Sequence, residues 1–220
     1  MKFYSNIKDF VFNPSVFFSY RLNENWTRSL LYLIGISLFL SFVLALVSFL
    51  NGYLFDPYNP YSYSLPFDYL RVGLFNILLT LAMAFITHFI ILAKKTDEIT
   101  KSIQVFCYAQ TPVLIAYFMV NMFPYLLTFS LGISGIINLS SFFLEHLFPV
   151  WILFVQILFL LFPLLQLIGI ILMLYIINGG FKVIYSLHFS YLLPIFILIV
   201  MMTEIYRGFP IFHLIATYLL

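Results

Sequence analysis

Apolar residues in this chain do not alternate with polar ones at the period of a surface helix or strand. They run together in long blocks. A spanning helix needs about 20 mostly apolar residues, because each adds about 1.5 Å and the hydrocarbon core is about 30 Å thick. Five blocks qualify, at 29–50, 69–93, 103–123, 149–177 and 189–206. The pattern predicts an all-α polytopic integral membrane bundle of five transmembrane helices. Residues 124–147 are also apolar and are read as an outer-leaflet or re-entrant segment, with a sixth span as the alternative. The fourth block carries Pro163 as a kink point and ends at Asn178-Gly179-Gly180, a helix-stopping signal.

Before the first block, residues 1–28 form an arm, and residues 29–220 form the transmembrane domain. Phe3, Ile7, Phe10 and Val11 fall at helical spacing. Asn13-Pro14 reads as a cap and first helical residue of a second short helix, with Val16, Phe17 and Tyr20 on one side. The arm is expected to be an interfacial helix resting on the inner surface. With the amino terminus in the cytoplasm, inner segments hold Lys2, Lys8, Arg21, Arg28, Lys94, Lys95, Lys101 and Lys182, and outer segments only Arg71 and Arg207. That asymmetry follows the positive-inside rule.

Composition sharpens the class. The chain is 64% hydrophobic and 8% charged, far from the soluble mix of about 45–50% apolar and about 25% charged residues. Its net charge of +2 is too small, and its basic residues too dispersed, for a nucleic-acid partner. Cys107, the single cysteine, allows no internal disulfide and reads as a packing residue. The amino terminus lacks the apolar core and small-residue site of a cleaved signal peptide.

The polar residues inside the blocks are neutral. Ser37, Ser41, Ala45 and Ser48 share one face of the first block, and Gly73, Asn76, Thr80, Ala84 and Thr87 one face of the second. Such small-residue stripes let helices approach closely. Gln104, Tyr108 and Thr111 form a stripe in the third block, joined by Gln110 and Pro112, and Gln156, Pro163 and Gln166 share roughly one side of the fourth. These groups are read as a polar core and a helix kink. No acidic or basic residue falls near the middle of a block, which disfavours a charged channel or proton-coupled carrier. His88, His146, His188 and His213 have no metal-ligand spacing, so neither metal nor cofactor is expected.

Three stretches, taken together, resemble the Yip family, the Ypt-interacting-protein membrane domain of eukaryotic YIPF proteins and many bacterial and archaeal ones. They are Asn13-Pro14 before the first span, "YAQTP" at Tyr108 to Pro112, and "GGFKVIYSL" at Gly179 to Leu187, expected as the turn between spans four and five. The resemblance implies five spans and a Thr-Pro kink in the third. The link "KKTDEITKS" departs from the family's glycine-rich one, and the short arm lacks the eukaryotic Asp-Leu-x-Gly-Pro motif. Binding of prenylated GTPases is therefore not carried over, and the chain is similar to the short prokaryotic members, a resemblance that implies a prokaryotic cell membrane.

The expected function is a non-enzymatic organiser of membrane or partner proteins, with the lipid bilayer, membrane proteins or a second copy as partners. The alternative is a carrier or channel for a neutral solute or lipid, using Gln110, Gln156 and Gln166. A remote alternative rests on "GISG", Gly132 to Gly135, which resembles the serine motif of rhomboid intramembrane proteases, with His188 or His213 as base. The late Ala-His-x-x-Gly stretch of rhomboids is missing here.

Overall fold

A computed structural model describes residues 8–55, 61–92, 98–136, 148–185 and 191–207. Among them the backbone is helical throughout, apart from short links, with no strand. Residues 8–12 form a helical turn. After it come α1 (Pro14–Arg21), α2 (Trp26–Phe55), α3 (Tyr61–Ile86), α4 (Ile99–Ala109), α5 (Thr111–Ile136), α6 (Phe148–Tyr185) and α7 (Leu192–Arg207). A π-helical turn, Thr87–Ile91, prolongs α3.

Among the described residues four stretches are long and apolar enough to cross a membrane: Trp26–Leu54, Pro66–Ile91, Ile99–Phe123 and Leu161–Tyr185. They match four of the expected blocks. The fifth block holds α7, of which 16 residues, about 24 Å of helix, are described. Residues 124–136 continue α5 as helix, because an apolar run without internal charge satisfies its backbone groups best by staying helical. Residues 137–147 lie outside the described set.

The bundle buries small polar residues beside its apolar core and leaves large apolar residues outward. Ser37, Ser41, Ser48, Asn76, Thr80 and Gln104 are buried, whereas Phe39, Phe42, Leu78 and Ile171 are exposed. Helices in lipid gain nothing by hiding leucine from tails equally apolar, so small and hydrogen-bonding residues turn inward. The closest pairing is α2 with α3, antiparallel, where the two small-residue stripes meet. A Cβ on Gly73 would collide with the Ser41 side chain and lie 3.2 Å from the Ser37 carbonyl oxygen. The chain is an all-α membrane bundle.

Helix ends follow local chemistry. Asn25 caps α2 by accepting the Thr27 N–H on its side-chain oxygen at 3.1 Å. Asn13 stands before Pro14 as expected, but it caps through its backbone carbonyl, which accepts from Val16 and Phe17, and not through its side chain. Asn178-Gly179-Gly180 does not stop α6, which runs on to Tyr185, so the expected turn over Gly179 to Leu187 is helix as far as Tyr185. Tertiary packing overrides the glycine signal there, as the site shows.

Candidate functional site

The Thr-Pro step divides α4 from α5 at Gln110. Pro112 has no N–H, which frees the carbonyl of Tyr108 one turn back. The Thr111 hydroxyl donates to that carbonyl at 2.8 Å. Its proton thus committed, Thr111 Oγ1 accepts from the Tyr32 hydroxyl of α2 at 3.0 Å. The helix break is closed by a relay from a neighbouring span, and Gln110 N–H to Phe106 and Leu114 N–H to Gln110 keep the flanking turns helical.

Tyr108 then turns its ring toward the arm. Phe17 and Phe18 meet it edge-on at centroid distances of 5.3 and 6.3 Å, and Tyr32 packs on it at 5.2 Å. One turn earlier, the buried Gln104 amide donates to the Glu24 carbonyl at 2.8 Å, fixing the link between α1 and α2. The stripe Gln104, Tyr108, Thr111 therefore faces the arm and α2. The described part of the arm packs against the bundle through one face, Pro14, Phe17 and Phe18, and leaves the other outward. Of the expected face, only Phe17 is buried, while Val16 and Tyr20 point outward.

The other jaw is α6. A Cβ on Gly179 would come within 2.5 Å of Pro14, and one on Gly180 within 2.7 Å of Val105 and 3.0 Å of Phe18. The two glycines are a seat for the arm, which is why they sit inside a helix. Tyr175, one turn away, donates its hydroxyl to the Phe12 carbonyl at 3.0 Å. Gly169 marks a second close crossing, where a Cβ would lie 3.0 Å from Ala116 and 3.2 Å from the Pro112 carbonyl. Asn13-Pro14, Tyr108 to Pro112 and Gly179-Gly180 thus meet in one clamp.

A second cluster escaped sequence reasoning. His88 Nδ1 in the π-turn lies 2.9 Å from Ser102 Oγ and 3.1 Å from the Tyr185 hydroxyl, which are 3.1 Å apart. This triangle joins the ends of α3, α4 and α6. His88 and Ser102 are fully buried. The π-turn is the device: its i to i−5 bond, Leu92 N–H to Thr87 carbonyl at 2.9 Å, shifts the helical register around His88. No spacing rule in sequence announces such a turn.

Other expected residues stand apart. Asn76 is buried on α3 and accepts Thr80 Oγ1 on its carbonyl at 2.7 Å, and Ala45 is buried on α2. Gln110 and Gln166 are buried, and their Oε1 atoms have no hydrogen-bond partner among the described residues. Gln156 and Ser134 lie in described helices, but their side chains are outside the described set, as are His146, His188 and His213. Among the described residues no group of His, Cys, Asp or Glu is arranged to hold a metal.

Comparison of the chain with family models, curated proteins and solved structures gave no match.

Proposed function

We propose that this chain is a non-enzymatic multi-pass membrane protein of Yip-like type, seated in a prokaryotic cell membrane, that organises membrane or partner proteins. The observation that carries the reading is the clamp. Three separated stretches, the ones on which the family resemblance rests, serve one packing purpose, and the Thr111 hydroxyl among them is spent on the Tyr108 carbonyl. The small-residue stripes of α2 and α3 are consumed within the chain, so a partner must use another surface. Glu98, Lys101 and Lys182 are solvent-accessible at the lysine-rich end of the bundle and offer one. Photo-reactive residues at positions 98 and 182, in native membranes, test this. A reproducible protein partner supports the organiser, and capture of lipid alone counts against it.

A second reading, a carrier for a neutral hydrogen-bonding solute, draws on Gln110 and Gln166, whose buried amide oxygens have no partner among the described residues. Such an orphaned acceptor costs about 1–3 kcal/mol. Solute flux in reconstituted vesicles, lost in Gln166→Leu, would favour it over the organiser.

A further inference from the structure

The clamp determines which side of the arm is left uncovered. With Pro14, Phe17 and Phe18 turned inward, Val16 and Tyr20 lie on the opposite face of α1, and Phe12, in the helical turn before the break at Asn13, is exposed as well. These side chains are 68%, 43% and 70% exposed. An apolar stripe of this size in water would be a liability.

Its level relative to the bilayer is set by α6. That helix has 38 residues, about 57 Å at 1.5 Å per residue, nearly twice the hydrocarbon thickness of about 30 Å. Its apolar run ends at Ile177, followed by Asn178, the two glycines and Lys182. Tyr175, which holds the Phe12 carbonyl, is in the last apolar turn, and Gly179, which seats Pro14, is the second residue beyond it. The arm therefore packs on α6 where its apolar run gives way to Asn178 and Lys182. Phe12 adjoins the half-exposed ring of Tyr175, so the stripe continues the lipid-facing surface of the bundle.

Cations stand on the segments that carry or seat the arm. Lys8, Arg28 and Lys182 are exposed at this end. Among the described residues the acids at this end are Asp9, Glu24 and Glu98; Glu24 is engaged by Arg21 at 2.8 Å and by Arg28 at 3.8 Å, and Glu98 by Lys101 at 3.9 Å. A short apolar face with cations beside it fits the acyl–headgroup boundary of a leaflet carrying negative lipid.

We infer that the outward face of the arm is a seat for anionic phospholipid of the inner leaflet, with Phe12, Val16 and Tyr20 in the acyl boundary and Lys8, Arg28 and Lys182 at the phosphate level. This rests on the membrane location and on the clamp, and stands whether or not the protein organises partners.

The test uses the full chain in vesicles of phosphatidylcholine, with and without phosphatidylglycerol, carrying one cysteine at Val16 or Tyr20 labelled with a polar fluorophore. Cys107 is fully buried and stays out of reach of the dye. Lipid-borne quenchers should quench both labels while aqueous iodide does not. In parallel, spin-labelled phosphatidylglycerol should associate with the protein more than spin-labelled phosphatidylcholine. Replacing Lys8, Arg28 and Lys182 together by Gln should reduce that preference by about fivefold or more, the effect of removing at least one basic residue at an anionic surface. Free quenching by iodide would overturn the inference. So would protection from both quenchers, which would mean a protein covers the stripe, and so would equal association of the two lipids.

Discussion

At the scale of single residues, the Thr-Pro step shows how a membrane helix tolerates proline. The missing N–H leaves a carbonyl that lipid cannot satisfy, and the adjacent hydroxyl supplies the bond. Thr111→Val should therefore remove two hydrogen bonds and lower stability by about 0.6–2 kcal/mol, measured by thermal unfolding in detergent. Tyr32→Phe should cost less, because Thr111 still serves the Tyr108 carbonyl. The glycines give the opposite kind of test. Gly179→Leu places a branched side chain where Pro14 sits, and overpacking of this kind costs about 1–3 kcal/mol. Gly35, with nothing within 4 Å of its Cβ direction, is the control: Gly35→Ala should be neutral or stabilising.

At the scale of elements, the helices were legible in sequence wherever length and hydropathy decided them, as in Trp26–Leu54 and Pro66–Ile91. The stripes Ser37 to Ser48 and Gly73 to Thr87 were legible too, because in lipid the small residues mark the seam. What could not be read was set by contacts distant in sequence. Asn178-Gly179-Gly180 has the composition of a helix stop, and only the approach of Pro14 and Phe18 turns it into a seat within a helix. The expected face of the short helix, Val16, Phe17 and Tyr20, omitted Phe18, because the arm's inward face depends on where Tyr108 and α6 stand. The π-turn at Thr87–Ile91 depends on His88 reaching Ser102 and Tyr185 across 14 and 97 residues. If that triangle ties the ends of α3, α4 and α6, then Ser102→Ala and Tyr185→Phe should be non-additive. A double-mutant cycle in detergent should give a coupling of about 0.5 kcal/mol or more, whereas strict additivity would show two independent bonds.

At the scale of the whole molecule, the arm and the bundle form one packed unit. The hydrophobic core runs from Phe17 and Phe18 through Val105, Phe106 and Ala109 to Ile176, Ile177 and Phe181. Arm, third span and α6 thus share a single interior at the lysine-rich end, leaving the outward stripe and the exposed charges as the contact surfaces. Gly179→Leu should accordingly weaken partner capture from positions 98 and 182 as well as stability, since the surface they belong to is held in place by the clamp. Capture that persists unchanged in a destabilised variant would separate the two.

The clamp is the claim on which the rest depends, and cysteine crosslinking in native membranes tests it most directly. Ser15 lies beside Gly179, its backbone nitrogen 3.1 Å from where a Cβ would stand. With Ser15→Cys paired in turn with Lys182→Cys, Val183→Cys and Ile177→Cys, mild oxidation should link Ser15 to 182 or 183, on the face of α6 that bears Gly179. Ile177, buried on the other side, should not react. Linkage to none of the three, or to all equally, would mean that the arm does not dock on α6 and would contradict the account.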